Sequence, residues 1–463
     1  MKTKTPMPKY SPAADAAAAG TPVRPMTLRG DAVHQTIAGY GASACWWAQD
    51  VGGWEADKVD TVVSLLFDRE RGIGLNIYRY EIGAGPVNEA PDPWRRAETL
   101  ETAPGQYDWT RNTNAIAVMQ AAVAAGVDNV MVFANSPAAR MTYSGKTTGE
   151  DEGNPNLRPQ MEADFARYLV DIAQHFQAQG IPVRYISPIN EPQWNWKLSN
   201  GQEGCHYKPD QCVSMARALV RELRARGSDI RPSLIDSGKW LDENYTIALC
   251  RMLVADPEIA AAMDHYAIHS YWSADDDKRA TVERLRAAGV KLPLWQSEWC
   301  QMEGGRDEGM GAALVLAKVV HEDMTIPDCP AWIGWIAVSC YDFKDGLLYV
   351  DLNTHEVAQT KKLWALGNYS RFVRPGYRRV ELEGVPYVLP TSAYVSPDGY
   401  TAVLVTINDD EARAVTAHFT AEGYTHCEAY ETSDAHSLDC VFQGSVGDYV
   451  FPPRSVTTLV LTR

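Results

Sequence analysis

Two glutamates carry the chemistry this sequence points to. Glu191 lies in Ile186-Ser187-Pro188-Ile189-Asn190-Glu191-Pro192, where an apolar run (Val183, Tyr185, Ile186) delivers an Asn-Glu pair and a proline ends the strand. Glu298 lies in Leu294-Trp295-Gln296-Ser297-Glu298-Trp299, a second short apolar strand ending in a carboxylate, with tryptophans at 295 and 299. A carboxylate at the carboxyl end of a barrel strand points into the mouth where chemistry is done. Two such glutamates are the minimum equipment for hydrolysing a glycosidic bond with retention. The plainer readings are a surface glutamate opening a loop and a salt-bridged strand-end carboxylate.

Presenting both groups at one mouth demands a scaffold, and the chain spells one out. From Gln35 to about Leu366, short β-rich runs alternate with helical stretches, the signature of βα units around a parallel sheet. The expected strands are Thr36–Tyr40, Leu75–Tyr80, Asn129–Phe133, Val183–Ile186, Ser233–Asp236, His265–His269, Leu292–Gln296 and Trp332–Ala337. The helix expected over Met161–Gln179 carries Phe165, Leu169, Ile172 and Phe176 on one face. Eight such units predict an α/β (β/α)8 barrel. An open doubly wound sheet would want a glycine-rich phosphate turn, and Gly39-Tyr40-Gly41 lacks its third glycine.

After Tyr369–Gly376 the pattern changes to alternating strands with tight turns such as Ser396-Pro397-Asp398-Gly399. That spacing predicts an appended antiparallel β-sandwich, to which Met26-Thr27-Leu28 adds a strand from the other end. The expected division is a disordered lead over 1–24, a catalytic barrel over 34–368, and a sandwich from 25–33 plus 369–463. The N-terminal stretch has no apolar core of a signal peptide, and no run of about 18 apolar residues spans a membrane. Cytoplasmic residence is therefore the expectation.

Hydrophobic residues make up 45% of the 463, enough for a large core, and the net charge of −16 argues against nucleic acid as a partner. It suits an uncharged ligand, and 14 Trp and 22 Tyr provide flat faces for sugar rings, although core filling accounts for such counts equally well. Nine scattered cysteines without a Cys-x-x-Cys pair read as reduced thiols. His321-Glu322 lacks a second histidine at metalloprotease spacing, so neither a metal nor another cofactor is expected.

Nearly the whole chain from Met26 resembles glycoside hydrolase family 30. Asn190-Glu191-Pro192 resembles the family's acid/base strand end, Ser297-Glu298 its nucleophile strand end, and Tyr369–Gly376 its linker into the sandwich. Three further stretches are similar to the β-1,6-galactanase branch. They are Gly39–Ala48 with Gly52-Gly53-Trp54, Asn135-Ser136-Pro137 with Met141–Gly145, and Asn200–His206. Two positions depart from that branch. Ala138-Ala139-Arg140 stands where a bulky aromatic is usual, and Glu81 where an amide is expected.

The resemblance implies roles. Glu191 is the expected general acid/base, protonated to assist departure and then ionised to activate water. Glu298 is the expected nucleophile, kept ionised by Arg79. Asn190 would bind the sugar's 2-hydroxyl, Tyr271 would hydrogen-bond Glu298, and His269 would support the sugar-binding shell. Trp335 would floor the −1 subsite. Asn135, Trp46, Trp47, Glu203 and His206 are further substrate-binding candidates, and Trp54 suits either a subsite or packing.

The implied activity is retaining hydrolysis of β-1,6-linked galactose chains. The same machinery on β-glucosyl, β-fucosyl or β-xylosyl substrates is the alternative, followed by a non-catalytic carbohydrate-binding barrel. A cytoplasmic enzyme would meet short oligosaccharides, with Arg140 supplying a polar subsite contact.

Overall fold

A computed structural model describes residues 25–85, 92–149 and 154–463. The expected lead over 1–24 lies outside these residues. Eight strands, β1 to β8 in chain order, form a nearly closed parallel barrel. They are β1 (Gly39–Ser43), β2 (Ile77–Glu81), β3 (Asn129–Phe133), β4 (Val183–Ser187), β5 (Leu234–Ser237), β6 (Tyr266–His269), β7 (Leu294–Glu298) and β8 (Ala331–Ser339). Ladders join β1 to β2, β3 and β4 in succession on one side, and β1 to β8, β7, β6 and β5 on the other. On the β5 side β4 pairs in parallel with the two-residue strand Arg231–Pro232 just ahead of β5, and single bonds continue the seam. Ser233 N–H donates to Ile186 O at 2.8 Å and Glu191 N–H to Asp236 O at 2.9 Å.

The strands read as they do because both their faces are covered. Asn-Val-Met-Val-Phe of β3 is buried throughout, as a parallel strand between a packed interior and outer helices must be. Along β2 the side chains alternate. Tyr78 and Tyr80 turn out against Phe67 and Phe176, while Arg79 turns inward. The helix Glu162–Ala178 buries Phe165, Leu169, Ile172 and Phe176, the stripe its spacing predicts. Gly180, at φ +83°, takes the left-handed turn just past its end.

Nine further strands form a mostly antiparallel sheet that folds into a sandwich around Met26, Leu404, Phe419, Phe451 and Leu461. Two expectations shift here. The expected strand Thr36–Tyr40 is divided: Met26–Thr36 pairs antiparallel with Arg378–Glu383 in the sandwich, and β1 starts at Gly39. Gly39 makes the hand-over with φ +140°, where a Cβ would fall 2.0 Å from Asn76 Oδ1. The strand Ser437–Ser445 had no signal, because it is an edge strand, largely exposed and paired only with His426–Thr432.

Candidate active site

The carboxyl ends of β2, β4, β5, β6 and β7 bring a buried cluster of charge together. Arg79 of β2 is fully buried, with its guanidinium 3.6 Å from the Phe133 ring centroid. It donates Nη1 to Glu298 Oε2 at 2.5 Å, and Nη2 to Asn190 Oδ1 at 3.0 Å and to Asp236 Oδ2 at 3.3 Å. Tyr271 donates its hydroxyl to the other Glu298 oxygen at 3.0 Å. His269 Nδ1 lies 3.1 Å from Glu191 Oε1 and 3.5 Å from Glu298 Oε1, and its Nε2 lies 3.7 Å from Asp236 Oδ1. Glu191, His269 and Glu298 each place one side-chain atom within 4.8 Å of the others.

Local backbone explains how Glu191 gets there. Its φ of +46° is left-handed, a conformation that costs a non-glycine residue roughly 1–3 kcal/mol. The bond from its N–H to Asp236 O fixes that turn across the β4–β5 seam. Gly238, just past β5, leaves the room the side chain needs. A Cβ there would stand 2.8 Å from Glu191 Oε1 and 2.4 Å from Gln193 Nε2.

The electrostatics follow from burial and pairing. Burial works against a charged His269, but Glu298, Asp236 and Glu191 outweigh it and lift the imidazole to about 10, so it is a cation. Burial likewise opposes charge on Asp236, yet Arg79, His269 and Ser187 hold its carboxyl below the usual range. Burial raises the Glu298 carboxyl, against the pull of His269 and Arg79, and neighbouring Glu191 adds to the rise. Two cations thus face three carboxylates, and the cluster is neutral when it holds one carboxylic proton.

Around this centre the remaining candidates divide. Trp335 meets Trp46 edge to face, with ring centroids 5.4 Å apart, and Arg95 lies over the Trp46 ring. Asn135 donates to Glu81 Oε1 at 2.5 Å, and Cys45 donates to Glu81 Oε2 at 3.3 Å. Burial pushes Glu81 up to about 7, against these bonds and Arg79.

Trp47 does not fit a sugar subsite. It is fully buried and donates its indole N–H to Ser43 O, because the short helix Trp47–Val51 turns it into the core. Glu203 is buried with both oxygens on the Ala84 N–H, and so ties two loops together. His206 is half-buried beside Tyr245, and Trp54 stacks on His355 at 4.3 Å. Arg140 is not poised for a distal sugar either: Glu101 at 2.7 Å and Asp164 take its guanidinium.

Sequence reasoning passed over Asp236, which also accepts from Ser297 Oγ at 2.6 Å and from the Ser187 hydroxyl. It passed over Gly238 as well. The run Asp236-Ser237-Gly238 at an expected strand end was the available signal. All nine cysteines are free thiols. No described helix is long and apolar enough to cross a membrane.

Comparison with known proteins meets this geometry from another side. An endo-β-1,6-galactanase of Hypocrea rufa is 25% identical over 415 residues, covering 83% of this chain and 81% of its own. A glucuronoxylanase of Bacillus subtilis is 23% identical over 345 residues, covering 71% and 72% of the two chains. The crystal structure of a conserved exported protein from Bacteroides fragilis superposes with a TM-score of 0.86 at 28% identity, over 94% of this chain and all of that one. The family model for O-glycosyl hydrolase family 30 matches residues 26–349, most of the chain, so this protein belongs to that family and is a glycoside hydrolase.

Proposed function

We propose that the protein is a retaining β-glycosidase acting on β-1,6-linked galactose chains. The observation that carries the mechanism is the close opposition of Glu191 and Glu298 in the charge cluster. Retaining enzymes hold their carboxyl groups about 5–5.5 Å apart, leaving no room for the water that inversion needs. Arg79 and Tyr271 donate to the two oxygens of Glu298, which favours the charged form a nucleophile needs and leaves the acid's role to Glu191. Glu191 then protonates the leaving oxygen as Glu298 attacks the anomeric carbon. With the leaving group gone, Glu191 takes a proton from water and the glycosyl-enzyme is hydrolysed. Asn190, held through Oδ1 by Arg79, keeps its amide N–H groups for the sugar's 2-hydroxyl. Trp46 and Trp335 offer an apolar wall to the ring.

In this reading the barrel over 34–368 does the chemistry, and 25–33 with 369–463 buttress it. The substrate assignment draws on the similarity to the galactanase of Hypocrea rufa and on the three loop stretches that match its branch. The test is product analysis by NMR on β-1,6-galacto-oligosaccharides beside β-1,6-gluco-, xylo- and fuco-substrates. Release of the β-anomer from the galactose series supports the proposal. First-formed α-anomer refutes retention, and preference for another sugar refutes the substrate.

A further inference from the structure

A cleft of about 480 Å3 opens between the outer helices of the barrel and the sandwich, and none of its lining residues belongs to the catalytic cluster. That volume is in the range of small-molecule sites, about 300–1,000 Å3. Its barrel wall carries Asp275, at the start of the helix Asp275–Ala287, and His321 and Glu322, near the end of the helix Met310–Thr325. Glu322 is only 4% exposed. Its Oε2 accepts from Lys278 at 3.0 Å, while its Oε1 has no hydrogen-bond partner among the described residues. Asp275 Oδ1 and His321 Nδ1, on the same wall, have none there either. Burying a polar atom unpaired is unfavourable, so three on one wall leave places for water or a hydroxyl-bearing ligand, and burial with neighbouring Asp275, against Lys278, pushes Glu322 up to about 7.

The ligand's chemistry follows from the rest of the lining. The lining sets Asp275, Glu322 and Glu381 against Arg279 and Arg379, and Lys278 already pairs with Glu322, His34 with Glu381 and Asp328 with Arg379, which leaves little unmet charge and suits a neutral molecule. Burial, Arg379 and Lys278 push His321 down to about 4, so its neutral ring can accept. Among the described residues, the group compact enough for a metal ion is Glu191–His269–Glu298, and these three are not part of it. Pro386 and Tyr387 line the sandwich side, and Tyr387 is 60% exposed, an apolar ring face beside the acceptors. A ligand with several hydroxyl donors and a flat C–H face meets both demands. We propose that this cleft is a second, non-catalytic binding site for a neutral saccharide about two sugar rings long. It goes beyond the hydrolytic reading, because binding there needs no turnover.

Glu322 also holds Lys278, which pairs with Asp323, the acceptor of the Ser270 hydroxyl beside His269. The test therefore alters the rim. Tyr387→Ala removes the ring, and Val385→Trp fills the cleft from a half-exposed loop position. β-1,6-Galactobiose, cellobiose and xylobiose are titrated calorimetrically into full-length Glu298→Ala protein with and without each rim change. At least one disaccharide is expected to bind about tenfold more weakly at one class of site in both rim variants, the loss of an aromatic contact. In the active background both variants should keep the parent kcat/KM on an aryl β-glycoside. Isotherms that superimpose on the parent for all three sugars, or crystals soaked in them with sugar only at the catalytic pair, would overturn the proposal.

Discussion

Glu81 allows a prediction whose size comes from the structure. It is a buried carboxyl at the end of β2, two residues beyond Arg79, where the family resemblance led us to expect an amide. Burial raises its pKa from 4.5 to about 7 despite the bonds from Asn135 and Cys45. The folded protein therefore binds a proton more tightly than the unfolded chain. Stability from this group is fully present below pH 4.5, falls as pH rises, and levels off above about 7. At 1.36 kcal/mol per pKa unit, the loss across that window is about 3 kcal/mol. Glu81→Gln keeps the shape and the contact with Asn135 but cannot ionise. Urea unfolding of parent and variant across this range should give similar midpoints at the acid end. At pH 8 the variant should be the more stable by about 3 kcal/mol. Other buried carboxyls titrate alike in both proteins, so the difference isolates Glu81. A difference that stays constant from acid to base would refute the reasoning, and with it the claim that Glu81 is a desolvated acid.

Four further outcomes follow from the charge cluster. Glu298→Ala should lose about 10⁴-fold or more in kcat and regain activity with azide, giving an inverted glycosyl azide. Glu191→Ala should instead keep most activity on aryl glycosides with activated leaving groups, and identical behaviour of the two variants would contradict the division of roles. Asp236→Asn breaks a buried pair and should cost about 3–5 kcal/mol in denaturant unfolding. It should also shift the alkaline loss of stability. His269 stabilises the fold fully below 6.5 and loses that contribution as pH rises from there to about 10, and without the Asp236 charge the loss should be smaller and complete at a lower pH, as melts at stepped pH would reveal. Gly238→Ala places a methyl against the ends of Gln193 and Glu191 and against the Trp194 indole nitrogen, and should lower the melting temperature only modestly. It should nevertheless lower kcat about 10²-fold by moving Glu191 about 1 Å, and an unchanged kcat would refute the spacing argument.

Much of this was legible in the chain itself. The periods of apolar residues set eight strands and their helices, because buried parallel strands and amphipathic helices must repeat in those ways. The strand-end positions of Glu191 and Glu298 could be read because such a period also says where an element stops. Other features depended on which strands become neighbours. Asp236 and Gly238 have no local pattern of their own, and they matter because the β4–β5 seam sets them against Arg79, His269 and Glu191. Trp47 and Arg140 suited sugar contacts as residue types, yet a short helix turns one into the core, and Glu101 and Asp164 claim the other. Sequence sets what each side chain can do, through local period and chemistry. Only the closed barrel decides which distant partner satisfies it, since buried charges and donors must pair with whatever the strand order brings within reach.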